Sequence, residues 1–126
     1  MDPAPGEGMT DATTPRFSHH RLDAYQVALE ALVQGDRIAR GLPRGYGKLK
    51  DQLQRALQGA FLQTVEAASR TGADRRSRFC CARAEATEAA AALEALDALG
   101  LAPTEGVHRV NHLLFRLVSM LTKLAR

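Results

Sequence analysis

The chain has 126 residues, 45% apolar and 25% charged, with a net charge of +3 and a pI near 9.2. That length suits one domain, and that balance excludes a wholly disordered chain. No apolar run approaches the roughly 20 residues of a membrane-crossing helix, and the acidic, Pro- and Gly-bearing start does not resemble a secretory signal.

Residues 1–18 read as a disordered tail, with Pro3, Pro5, Pro15, Gly6 and Gly8 and no helical or strand period. A first helix is predicted over about 19–41, capped by Ser18. Leu22, Tyr25, Leu29 and Leu32 form its apolar stripe, and Gly41-Leu42-Pro43 stops it. Gly35 weakens its interior, which close packing would explain.

After the turn residues Pro43-Arg44-Gly45-Tyr46-Gly47, a second helix runs to about Ser69. Leu49, Leu53, Ala56, Ala60 and Ala67 lie on one face, widened by Leu57, Phe61 and Val65. Thr71-Gly72-Ala73-Asp74 breaks the chain, with Asp74 placed to cap the third helix, about 75–99. Its stripe is Phe79, Ala82, Ala86, Ala89, Leu93 and Leu96, and the small tract Ala89–Ala92 permits a close neighbour. Gly100 stops it.

Thr104 is the expected cap of the fourth helix, about 105–125, where Val107, Val110, Leu114, Leu117, Leu121 and Leu124 keep three-four spacing. With no Trp and 5% aromatics, the core must be built from Leu, Val and Ala, which suits closely packed helices. The expected fold is an all-α, up-down-up-down antiparallel four-helix bundle over 19–126 behind its tail. Leu113, Phe115, Val118 and Met120 flank the main stripe of the last helix. They make its apolar sector wider than one core needs, which points to a homo-oligomer contact.

Several segments resemble the bacterial four-helix bundle family first known from 23S rRNA intervening sequences. Leu22-Asp23-Ala24-Tyr25-Gln26-Val27-Ala28 is similar to its "L-x-x-Y-Q-x-A" start. Leu42-Pro43-Arg44-Gly45, followed by Leu49, Gln52-Leu53 and Arg55-Ala56, resembles its "LPRG…L…QLRRA" segment. Ala82-Arg83-Ala84-Glu85-Ala86-Thr87-Glu88 sits where the family has "ARGSxxE", and Met120–Leu124 resembles its close. The resemblance covers about residues 20–126. Where the family reads "NIAEG-x-G-R", this chain has Gln63-Thr64-Val65-Glu66-Ala67-Ala68-Ser69-Arg70, keeping only Glu66 and Arg70, so it resembles a divergent member. The resemblance implies pentameric rings and no enzymatic activity. One branch, the accessory variability determinant of diversity-generating retroelements, binds a reverse transcriptase and nucleic acid.

Two groups of cations flank the first two turns: Arg37, Arg40, Arg44, Lys48, Lys50 and Arg55, then Arg70, Arg75, Arg76, Arg78 and Arg83. Arginine forks suit phosphate. Arg44, Lys48, Arg75, Arg76 and Arg78 are therefore the candidate RNA or DNA contacts, although consecutive turns of an up-down bundle lie at opposite ends. Glu66 and Glu88 are expected to pair with arginines of neighbouring helices.

His108 and His112 are four apart, one turn after Glu105, but lack the further ligands of a metal site. His19-His20 reads as a surface pair. The adjacent Cys80 and Cys81 cannot staple distant segments, so a reducing cytoplasm is expected, with one thiol facing the core. Neither a phosphate loop nor a nucleophile elbow occurs. The expectation is a non-enzymatic, cofactor-free, pentameric scaffold or adaptor for a protein client. The alternative is a nucleic-acid-binding accessory protein with a reverse transcriptase partner.

Overall fold

The computed structural model describes residues 16–126. The expected tail, prolines included, lies outside the described residues except for Arg16, Phe17 and Ser18. A 3-10 turn, Ser18–Arg21, precedes four helices: α1 (Asp23–Arg40), α2 (Gly47–Ala68), α3 (Gly72–Ala98) and α4 (Thr104–Leu124). The fold is an all-α four-helix bundle, with no strand among the described residues.

Helices adjacent in sequence pack together, α1 also packs on α4, and the diagonal pairs do not approach within 8 Å between Cα atoms. The cross-section is therefore a square in chain order. The α1–α2 and α3–α4 turns sit at one end. The other end holds the α2–α3 turn, the N-terminal 3-10 turn and the C-terminus.

The stripes read for α3 and α4 are the core. Phe79, Ala82, Ala86, Ala89, Leu93 and Leu96 are buried, as are Val107, Val110, Leu114, Leu117 and Leu121, while Leu124 is half-buried. For α1 the expectation fails. Ala24, Val27, Ala28, Ala31, Gly35 and Ala39 face the core, and Leu22, Tyr25, Leu29 and Leu32 are only half-buried beside α2. The helices approach too closely for a leucine row, so small side chains occupy the seam.

Gly35 marks the tightest approach: a Cβ there would lie 2.5 Å from Leu57 Cδ1. Gly59 differs, because its obstacle is the movable carboxylate end of Glu85, at 2.8 Å. Alanine gains about 1 kcal/mol over glycine in a helix interior, whereas overpacking a core costs about 1–3 kcal/mol. Gly35→Ala is expected to lower stability by about 1 kcal/mol, the overlap outweighing the propensity gain. Gly59→Ala is expected to raise it by up to about 1 kcal/mol. Urea titrations of the two variants beside the parent check the opposite signs.

The helix ends also depart from expectation. Leu22, not Ser18, occupies the position before α1, in an extended conformation without a side-chain cap. Thr71 precedes α3, and Asp74 pairs with Arg70 and Arg78 instead of capping. Pro103 precedes α4, and the Thr104 hydroxyl donates to Asp97 Oδ1 at 2.7 Å. Gly100 is the stop anticipated. Its φ of 71° lets Gly100 N–H reach the Asp97 carbonyl and Leu101 N–H the Leu96 carbonyl, each at 2.9 Å.

Candidate functional site

Because α1 turns its alanines inward, its larger apolar residues lie toward the surface it shares with α2. On that α1/α2 face Val33 is 44% exposed and Leu62 59%, and Phe17 is 66% exposed at its lower end. Phe17, His19, Leu62 and Val65 line a groove of about 600 Å³ bordered by Glu66. A second depression joins Leu32 and Val33 to Gln58, bordered by Arg37 and Arg40.

The opposite α3/α4 face carries one prominent knob, Phe115, 71% exposed. Phe115 and Val118 line a cleft of about 380 Å³ with Thr87, Ala90, Glu94 and Asn111. The Oδ1 atom of Asn111 is buried there without a hydrogen-bond partner.

The four residues read as an oligomer contact are thereby divided. Leu113 is buried at 6% exposure on the α1 side, where it borders Glu30 and Gln34. It is a core residue. Met120, seven residues on and half-buried, lies over the same edge. Phe115 and the half-buried Val118 face the α3 side.

Axial position follows from helix rise, about 1.5 Å per residue. Counted from the end bearing the α1–α2 turn, Val33 and Asn111 stand at about 10 Å, Gln58 and Phe115 at about 16 Å, and Leu62 and Val118 at about 22 Å. Leu62 and Val118 thus share a level, and Phe115 stands between the levels of Val33 and Leu62.

The cationic candidates do not form one patch. Arg44 and Lys48 are exposed at the α1–α2 end. Arg75, Arg76 and Arg78 are at the other, about 30 Å away by helix length. Arg75 is committed to the fold: its guanidinium donates to the carbonyls of Ala67 and Ala68, at 3.4 and 3.3 Å, and lies 5.0 Å from the Phe79 ring centre. It thereby satisfies carbonyls at the end of α2. Arg78 pairs with Glu66 at 3.7 Å and Asp74 at 3.6 Å, and Arg70 holds the same two acids. Arg76 is exposed, in the company of Arg83, Lys123 and Arg126 at this end.

Of the two acids, Glu66 pairs with an arginine of α3 as expected, and Glu88 instead accepts from Gln52 of α2. Asp36 accepts from Arg40 at 2.7 Å and Gln54 at 3.0 Å, and these bonds hold its carboxyl below the ordinary range.

Cys80 and Cys81 are both exposed, which corrects the expectation of a core thiol. Phe79 and Ala82 take the two inward positions around them. His108 and His112 are exposed on α4, and no cluster of metal-ligating side chains occurs among the described residues.

The His19-His20 pair is more than surface. Its rings lie 4.4 Å apart, His19 is 4.8 Å and His20 5.5 Å from Tyr25, and Tyr25 is 5.7 Å from Phe61. Phe17 stacks on His19 at 5.7 Å, and its backbone N–H donates to His20 Nδ1 at 3.1 Å. Sequence reasoning missed this cluster because its members belong to three separate elements. The Tyr25–Phe61 pairing was hidden among residues read simply as apolar stripe.

No protein-family model matches the chain, and no curated protein matches it.

Proposed function

We propose that this protein is a non-enzymatic scaffold or adaptor whose subunits join head to tail. The ring is pentameric, as in the family its motifs resemble, and presents its surface to a protein client in the cytoplasm. One observation carries the reading: two unlike apolar faces on opposite sides of a single bundle. Phe115 projects from one, and Val33 and Leu62 flank a receptive strip on the other. Unlike patches that complement each other make a heterologous contact, which closes as a ring when the rotation between subunits divides a full turn.

Charge favours parallel neighbours. Glu94 beside the Phe115 cleft stands near the level of Arg37 on the α1/α2 face. An antiparallel contact would instead bring Arg83, not Glu94, toward Arg37.

A second reading, binding of RNA or DNA with a reverse transcriptase partner, draws on the cations at the α2–α3 end, Arg76 and Lys123 among them. The native mass of the purified protein, taken in low salt without nuclease, separates the readings. A protein-only mass of about five subunits supports the scaffold. A larger complex that shrinks with nuclease or salt favours nucleic acid. A bare monomer at high micromolar concentration overturns the assembly.

A further inference from the structure

The lower part of the α1/α2 face is not made by the helices alone. Phe17 supplies one wall of the groove shared with Leu62 and Val65, and it reaches that position only because the chain turns back through Ser18–Arg21. The Phe17 side chain itself offers no cap to this turn. The turn is held by the ring cluster of Phe17, His19, His20, Tyr25 and Phe61 and by the bond from Phe17 N–H to His20 Nδ1.

That bond requires an unprotonated Nδ1, so it exists only while His20 is neutral. The two imidazoles, 4.4 Å apart, also resist carrying charge together. The charged groups around them do not relieve this. Arg21 on the same segment adds like charge. Asp23 is exposed at the start of α1, and Glu66 of α2, across the groove, is already bound by Arg70 at 2.9 Å and Arg78 at 3.7 Å.

We propose that the Phe17–Arg21 turn is a pH-operated clasp. At neutral pH it completes the assembly face, and when His19 and His20 take up protons it withdraws Phe17 and weakens the contact between subunits. The inference rests on the α1/α2 face being an assembly face.

The sign follows from the ring environment. Burial, and then the neighbouring His20, push the His19 pKa below its ordinary 6.5. A histidine favoured in its neutral form contributes stability above its unfolded value, and that stability is lost as pH falls through the folded one. The clasp is therefore closed at neutral pH and opens in mild acid.

Two readouts test it. The chain has no Trp and two tyrosines. In a Tyr46→Phe background, which alters only the distant α1–α2 turn, Tyr25 emission reports the clasp itself. Native mass against concentration reports assembly. Between about pH 7.5 and 5.5 both are expected to titrate together, with association weakened about fivefold or more, the low end of ordinary coupling between two sites.

His19→Phe/His20→Asn keeps a ring against Phe17 and Tyr25 and keeps an acceptor for the Phe17 N–H, but cannot titrate. Its association is expected to stay flat over that range. Tyr25 emission that titrates while the mass does not change overturns the gating. Emission that does not titrate overturns the clasp. A single-subunit mass at every pH overturns the assembly reading and the coupling with it, while the Tyr25 titration still decides whether the turn opens. A variant whose emission shows an open turn at neutral pH is expected to assemble as weakly as the parent in acid. Full assembly from that open form overturns the proposal.

Discussion

Leu117→Asp is expected to abolish folding, and Phe115→Asp, two residues earlier on the same helix, to leave the fold intact and take the proposed assembly apart. Leu117 is 0% exposed between its core neighbours, and Phe115 is 71% exposed. A lone carboxylate in an apolar interior costs several kcal/mol, even after the group protonates to escape its charge. That is a large part of the about 5–15 kcal/mol that holds a domain folded. The Leu117→Asp protein should show no cooperative transition on heating.

At Phe115 the same substitution touches little of the chain's own core, and such changes move stability by about 0.5 kcal/mol or less. An aromatic anchor removed from a subunit contact costs about 2 kcal/mol or more of binding, close to thirtyfold in affinity. Circular dichroism melts with native mass read both outcomes. A Phe115→Asp protein that melts normally and still assembles fully would remove Phe115 from the interface.

Phe79→Ala is expected to cost about 3–5 kcal/mol, the ordinary range for emptying a buried aromatic site. Phe79 is the one fully buried aromatic among the described residues, in a core where alanine is the commonest side chain. Alanines have no rotamers with which to refill a void, so the site can shrink only if helices move. The loss also takes the ring from beneath Arg75, whose guanidinium holds the end carbonyls of α2. A lower urea midpoint with an unchanged slope would fit simple destabilisation.

The helices were legible wherever large and small residues separated cleanly onto two faces. In α4 the three-four row of Val and Leu is the core. In α3 the Phe79–Leu96 row is too, because that stripe already mixed small residues with large ones. In α1 the leucines drew the eye, but spacing between helices, which no single helix encodes, gave the inward positions to alanine and Gly35.

The same blindness to neighbours applies to the candidate site. The opposite placement of the two cation groups followed from topology alone. The work of Arg75 did not, because it depends on where α2 ends relative to α3. In the broad apolar sector of α4, Leu113 is buried and Val118 and Met120 pack against the core. Only the position of α1 shows that Leu113 belongs to the core and Phe115 to the surface.

The square order of the helices also governs how the chain finds its fold. Three of the four packed edges join neighbours in sequence across short turns, and only the α1–α4 edge joins distant parts of the chain. Chains dominated by local contacts fold within microseconds to milliseconds because little loop entropy is spent before contacts form. The extensive α2–α3 hairpin is expected to form first, and α1 and α4, whose shared edge must wait for both ends of the described chain, to exchange their helix amide protons ahead of α2 and α3.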